Sequence, residues 1–342
     1  MPVRPPSSPY RLKLVFQFPL PVVVPSKIPG RDVDGCWYNA GMEEHILELL
    51  NLKGPLTGSE IMDALDARGI ELWRACVGSS LFTIRRVGRR YLRLDRRVEG
   101  FARLSPSILR EFLTYSVVAP RDATDALEER AREISHHIDT VTQEKSSLAY
   151  RVISALVSRS ENPDLIMERT CFILAGDIVY DMAHDVPRPE RSTGRLVRGS
   201  DMDLVVIADD SFPEEQKKRL DERIYREKHN LLVTPHLREE IDYVVKDLDR
   251  VREQLRFDTF RCMVACKIME EGTLLYGSEA LFTRIKGMLQ ESGVTPRLQK
   301  MEQEASMFRR QAETTLLTEE IDTIRRNHLD LFYPTEESEE FE

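Results

Sequence analysis

Apolar positions recur at helical spacing in MEEHILELLNLKG (42–54), where Ile46, Leu47 and Leu50 share a side and Gly54-Pro55 ends the run. Thr57-Gly58-Ser59 caps a second helix that closes at Gly69, and residues 71–80 read as a short third one. The period then switches to alternation. FTIRR and RRYLRL flank Val87-Gly88, the pattern of a β-hairpin. Over 122–158 the helical period returns, with Leu127, Ala131, Ile134, Ile138, Val141, Leu148, Val152 and Ala155 in a stripe broken by Lys145. Such a stripe serves either a homodimeric coiled coil or, as the break favours, packing on the chain's own next domain.

From Leu165 the pattern becomes strand, helix, strand. ERTCFILAG is an apolar strand ending at Gly176, DIVYDMAHD opens a helix at Asp177, and VPRPERSTGRLVRG is a polar loop. DMDLVVIAD starts a second strand, and Pro213 sits in the first turn of a long surface helix. Ile241, Tyr243 and Val245 then alternate with Glu240, Asp242 and Val244 in a third strand. Leu281, Ile285, Met288 and Leu289, and later Leu316, Leu317, Ile321 and Ile324, mark amphipathic helices that complete the core. The elements predict an α+β fold, a small mixed β-sheet flanked by helices. Its parts are a poorly ordered Pro-rich segment 1–39, a compact unit 40–120, a connecting helix 121–160, the sheet domain 161–280, C-terminal helices 281–330 and an acidic tail 331–342.

Composition narrows the function classes. At 342 residues and 41% hydrophobic, the chain can bury several cores, and its net charge of −9 argues against coating nucleic acid over the whole surface. The apolar stretch Leu12 to Val24 is interrupted by Pro19 and Pro21, so it predicts neither a membrane span nor a secretion signal. The five cysteines lack Cys-x-x-Cys spacing, which predicts reduced thiols and a cytoplasmic location; no ligand pair completes a zinc site with Cys262 and Cys266. His136 and His137 read as surface residues. The ribbon is basic: Arg85, Arg86, Arg89, Arg90, Arg93, Arg96, Arg97 and Arg103 face only Asp95 and Glu99 as local acids. These arginines either follow a nucleic-acid backbone or pair with acidic surfaces elsewhere on the chain.

The most informative stretch is Arg198-Gly199-Ser200-Asp201-Met202-Asp203, running into LVVIADD. Strand side chains alternate, so Asp201 and Asp203 point to one side. Two ionised carboxylates side by side repel, and a hard, oxygen-seeking cation such as Mg²⁺ resolves the repulsion. A pair of such ions can clamp a nucleoside triphosphate and the group attacking it.

Two resemblances follow from these residues. Three helices followed by a ribbon over 40–120 are similar in order to a winged helix-turn-helix domain, which implies nucleic acid as a partner through Arg85, Arg86, Arg89, Arg90 and Arg93. Gly176, Ser200-Asp201-Met202-Asp203-Leu204, a later acid and KIMEEGTLLYGS (267–278) together resemble the polymerase-β-type nucleotidyltransferase superfamily, over about residues 150–290. That resemblance implies a Mg²⁺-dependent transfer of NMP from an NTP to an acceptor hydroxyl, with two ions and Mn²⁺ as an alternative. It implies Asp201, Asp203 and Asp242 as catalytic and metal-binding acids, with Glu240 a poorer third acid. It places phosphate at Gly176, Asp177, Gly199 and Ser200. Asp177 stands where the family carries a hydroxyl, and an acid beside a triphosphate must face away or hold metal. The long loop adds Arg188, Arg191, Arg195 and Arg198, of which Arg195 and Arg198 in particular are candidates for phosphate binding. The alternatives are a DNA-binding regulator that senses nucleotides with little catalysis, and a nucleotidyltransferase partner in a bacterial defence or toxin–antitoxin pair.

Overall fold

The computed structural model describes residues 39–190 and 193–334. The expectations placed on the chain before residue 39, on Cys36 and Arg191, and on the tail from residue 335 lie outside the described residues.

Helix α1 (Asn39–Lys53), strand β1 (Leu56–Thr57) and helices α2 (Gly58–Leu65) and α3 (Gly69–Gly78) come first. Thr57 and Glu60 form a capping box on α2. Strands β2 (Phe82–Arg86) and β3 (Tyr91–Leu94) follow, but they do not pair with each other, which corrects the hairpin expected at Val87-Gly88. The Val87 N–H is held by the Tyr115 carbonyl at 2.8 Å, so β3 leaves the line of β2. It pairs with β4 (Ala102–Ser105), after which comes α4 (Ile108–Thr114). Strand β5 (Ser116–Pro120), fully buried, lies between β1 and β2 in an antiparallel sheet. Residues 87–115 are thus an insertion between β2 and β5, the strand with which β2 pairs.

Helix α5 (Thr124–Ser158) buries its stripe against its own chain. Leu127, Ala131 and Ile138 pack with Val117 and Ala119 of β5, while Val141, Ala149 and Ile153 enter the core of the central sheet. The break in the stripe, Lys145, is itself buried and ion-paired with Glu239.

Beyond α6 (Pro163–Arg169), β6 (Thr170–Ala175) leads into a single 3₁₀ turn at Gly176–Tyr180. This corrects the helix expected from Asp177, because Asp181 adopts a left-handed conformation and turns the chain away. The polar loop is also more regular than expected: β7 (Pro187–Pro189) and β8 (Leu196–Arg198) pair antiparallel. There follow β9 (Met202–Ala208), α7 (Glu214–Val233), β10 (Ile241–Asp247), α8 (Leu248–Gln254), α9 (Phe260–Glu271), β11 (Thr273–Gly277), α10 (Glu279–Glu291), α11 (Val294–Thr318), α12 (Ile321–Asn327) and α13 (Leu329–Phe332). The central sheet has the order β10-β9-β6-β11, with β9 and β10 parallel and the other pairs antiparallel. The fold is therefore α+β with a mixed sheet.

Strand alternation sorts the two faces. Phe172, Leu174, Leu204 and Val206 join α5, α6 and α7 in one core. Cys171, Ile173, Val205 and Ile207 join Leu92 and Leu104 of the insertion, together with α9, α10 and α11, in the other. No helix among the described residues is long and apolar enough to cross a membrane.

The C-terminal helices close over α3. Trp73 meets Phe332 at 5.6 Å between ring centroids, Glu71 pairs with Arg325, and Arg74 donates to the Leu317 and Glu319 carbonyls. The basic residues of β2 and the insertion are likewise engaged within the chain. Arg85 pairs with Glu128, Arg86 with Glu111, Arg89 with Asp181, and Arg90 with both Glu111 and Glu313. Arg309 of α11 joins the same Glu111 and Glu313. Arg90→Glu is accordingly expected to destabilise the protein by more than about 2 kcal/mol, since it sets a third acid among two half-buried carboxylates. Arg89→Glu, which breaks an exposed pair, should cost less than about 1 kcal/mol. Urea midpoints of the two variants check this, and equal shifts would refute the difference.

Candidate active site

Asp203 is the second residue of β9, and the parallel register sets it directly beside Asp242 of β10. Both therefore face the side of the sheet that carries the insertion and α9. Asp201 precedes the strand on the same side. Asp201 and Asp203 are half-buried and Asp242 is exposed. All three line one cleft of about 500 Å³ between the end of the sheet, the β3–β4 insertion and α9.

Gly176 belongs to this arrangement for a steric reason. Its φ is +72°, and a Cβ there would lie 2.0 Å from the Asp203 Oδ2. The end of β6 thus makes room for the Asp203 carboxylate. Gly176→Ala should cost about 1–3 kcal/mol from backbone strain alone, with the overlap adding to it. A urea titration indistinguishable from that of the parent would overturn this account.

The Gly176 amide donates to Glu271 Oε1 at 3.3 Å, and Tyr180 donates to the other oxygen at 2.6 Å. Lys267 pairs with the same carboxylate and lies over the rings of Tyr91 and Tyr180, which stack at 4.0 Å.

Asp177 lines the cleft, and its carboxylate is engaged by two hydroxyls. It accepts from the Tyr91 hydroxyl and, at 2.9 Å, from the Ser200 hydroxyl. Burial opposes its ionised form, but His184, the Tyr91 hydroxyl, Arg93 and the Ser200 hydroxyl together hold its carboxyl below the usual range. Asp177 therefore orients the Ser200 hydroxyl. Gly199 is buried with φ +57°, and a Cβ there would meet the His184 carbonyl at 1.9 Å. Its role is close packing of the chain rather than a place on the cleft wall.

The arginines divide unexpectedly. Arg195 and Arg198 have exposed side chains and do not line the cleft. This corrects their expected place at the phosphates, because the β7–β8 hairpin directs them outward. Among the described residues, Arg188 of β7 is the arginine of this segment that lines the cleft. It donates to the Gly199 carbonyl at 2.8 Å and to Glu240 at 2.9 Å, and lies 3.7 Å from Asp201. Glu240 is thus a partner of Arg188; burial, against Arg188, raises its carboxyl. Arg93 and Arg110 of the insertion and Lys267 of α9 also line the cleft, and Lys228 stands beside Asp242 at 3.7 Å.

The charge balance around Asp203 is the notable electrostatic feature. Burial first, then Asp201, Asp177 and Asp242, push its carboxyl well above the ordinary range, and Arg93 opposes them. Among the described residues, no three His, Cys, Asp or Glu side chains are already gathered to hold a metal ion. The donor chemistry nonetheless fits one. Oxygen donors on two adjacent strands crowd the half-buried Asp203 carboxyl, and a divalent cation would reverse that repulsion.

Residues that the sequence pattern did not single out complete the cleft: His184, Glu271, Arg110 and Lys228. Only Glu271 carried a signal, as the fourth residue after Lys267 on one helix. No protein-family model matches this chain, and no curated protein does either.

Proposed function

We propose that the cleft is the active site of a magnesium-dependent nucleotidyltransferase that moves NMP from an NTP to an acceptor hydroxyl and releases pyrophosphate. One observation carries the reading: three acids, Asp201, Asp203 and Asp242, stand at one end of the sheet and share a single cleft with Arg93, Arg110, Arg188, Lys228 and Lys267. A polyphosphate needs cations around its outer oxygens, and metal ions need carboxylates beside the reacting phosphorus.

Asp201 and Asp203 are the residues to hold magnesium, with Asp242 sharing a second ion. Magnesium, when bound, neutralises polyphosphate charge and lowers the pKa of a nearby hydroxyl. The chain's own residues do the rest. Arg93, Arg110 and Lys267 bind the β- and γ-phosphate oxygens, while Arg188 keeps the strand leading to Asp201 in place. Asp242, exposed at the mouth, receives the proton of the acceptor hydroxyl. The acceptor oxygen bonds to the α-phosphorus as the bond to the bridging oxygen breaks, and pyrophosphate carries away the electron pair.

The order α1-β1-α2-α3-β2-β5 is read as a winged helix whose wing is interrupted by the insertion that walls the cleft. The covering of α3 by α12 and α13 favours a role for this unit in building the active site over reading DNA through α3. The acceptor is a hydroxyl of nucleic acid or of a protein. The buried thiols of Cys76, Cys171 and Cys266, pushed by burial up to about 12, fit a reducing, cytoplasmic setting.

The test is label transfer from each α-labelled NTP with Mg²⁺ or Mn²⁺, to protein and RNA acceptors. The parent protein should label an acceptor, and Asp201→Ala/Asp203→Ala should not. Equal labelling by both would overturn the assignment.

A further inference from the structure

The central sheet ends on β10 and β11, and its two edges are finished differently. A free strand edge offers a row of unpaired N–H and C=O groups, and proteins usually blunt it with a bulge or cover it. Strand β11 has both devices: its register with β6 shifts between Leu274 and Tyr276, and α5 and α6 pack against it. Strand β10 keeps an unbroken parallel register with β9 and has no second strand beside it among the described residues. The Met202 amide donates to the Glu240 carbonyl at 2.9 Å, so Glu240, Asp242 and Val244 turn their main-chain groups towards β9. Alternation then turns the main-chain groups of Tyr243 and Val245 outward, where they meet no partner among the described residues.

The side chains that border this edge suit an added strand. Asp242 and Val244 share one face of β10 and are both exposed, Val244 by 46%. On the opposite face Tyr243 donates to the Asp221 carbonyl of α7 at 3.2 Å. Tyr225, one turn further along α7, stands beside Tyr243 and is 64% exposed. An extended chain laid along β10 would alternate its side chains between Val244 and Tyr225, and its residue level with Asp242 would lie at the mouth of the cleft. We propose that the acceptor is a polypeptide that pairs with β10 as an added strand and presents a Ser, Thr or Tyr hydroxyl to Asp242, an inference that rests on the nucleotidyl-transfer reading. The hydroxyl oxygen bonds to the α-phosphorus, the bond from that phosphorus to the bridging oxygen breaks, pyrophosphate leaves with the electron pair, and Asp242 takes the proton. A nucleic-acid strand lacks the alternating amides and carbonyls that would meet Tyr243 and Val245, so the open edge favours a protein acceptor.

Degenerate peptides of about nine residues with a fixed central Ser, Thr or Tyr, long enough to span β10, are offered with Mg²⁺ and each α-labelled NTP. RNA and DNA oligonucleotides of random sequence are offered in parallel. The peptides should take the label. The peptide labelled most is then remade with one N-methyl group on each main-chain amide in turn. Methylation of an amide that faces β10 should lower kcat/KM by about tenfold or more, and methylation of the amides between should leave it within about threefold. The loss should therefore recur at every second residue, which a peptide held by its side chains alone would not show. Tyr225→Ser/Val244→Ser should lower kcat/KM for the unmethylated peptide by about tenfold. Its melting temperature and its affinity for a non-hydrolysable NTP should stay those of the parent.

Label on RNA or DNA but on no peptide overturns the β10 assignment and leaves the nucleotidyl-transfer reading standing. So does a labelled peptide whose methylation scan shows no alternation, or one that the double variant labels as well as the parent does. A parent protein that labels no acceptor of either kind overturns the nucleotidyl-transfer reading and the β10 assignment with it.

Discussion

Asp203→Asn is expected to lower nucleotidyl transfer by at least about 10³-fold while leaving the fold intact. Ion-assisted stabilisation at the reacting phosphorus is worth several kcal/mol, and each ~1.4 kcal/mol is tenfold in rate. Asparagine keeps the size of the side chain, so the room left by Gly176 is still filled. It also removes a carboxyl that burial, Asp201, Asp177 and Asp242 all press against. Melting temperature should therefore be unchanged or higher, the pattern of a residue placed for function at the expense of stability. Label transfer and thermal melting on the same preparation decide the matter. Activity within tenfold of the parent would exclude Asp203 from the reaction, and a lowered melting temperature would show a structural role instead.

Lys145→Met is expected to be the most destabilising single change in α5, at about 3–5 kcal/mol near neutral pH. The Lys145 ammonium is 3% exposed and lies 2.5 Å from Glu239 Oε2 and 2.6 Å from the Arg198 carbonyl. Its removal strands a buried carboxylate. Burial, against Lys145, already raises the Glu239 carboxyl, and losing the lysine raises it further. A carboxyl whose folded pKa lies above its unfolded one stabilises the fold at low pH and loses that contribution as pH rises. The deficit of the variant should therefore shrink as pH falls towards the ordinary carboxylate range and grow above it. Adding Glu239→Leu should restore most of the loss, because apolar replacement of a whole buried pair is often close to neutral. Urea midpoints across this pH range provide the measurement. A single variant with parent-like stability at neutral pH would show that the pair contributes nothing.

The pair also shows where the pattern of the chain stops being readable. Within the stripe of α5, Lys145 is an interruption; in the fold it joins the helix to the segment entering Asp201 and to the strand that carries Asp242. The spacing of polar and apolar residues records that position 145 is polar, but the acid it meets is 94 residues away. The ribbon fails in the same way. FTIRR and RRYLRL are both strands, as their alternation requires, yet their partners β5 and β4 are chosen by burial and by the Val87–Tyr115 contact. Arg93 and Arg110 reach the cleft only because that insertion folds back over the sheet. Residues 99–120 carry no clear period, so their strands could not be read in advance.

What the sequence determined by itself is local: the strands around Ile173, Val205 and Tyr243, the helices other than the one expected from Asp177, the α+β class, and the side on which Asp201 and Asp203 stand. These follow from periods of 2 and 3.6, which need no knowledge of distant residues. The tertiary structure alone decided which cations share the cleft with those acids, that Asp177 orients Ser200, and that Arg188 and not Arg195 or Arg198 enters the cleft. Those facts depend on strand pairing and burial between segments far apart in the chain, and side-chain periodicity carries no information about such partners.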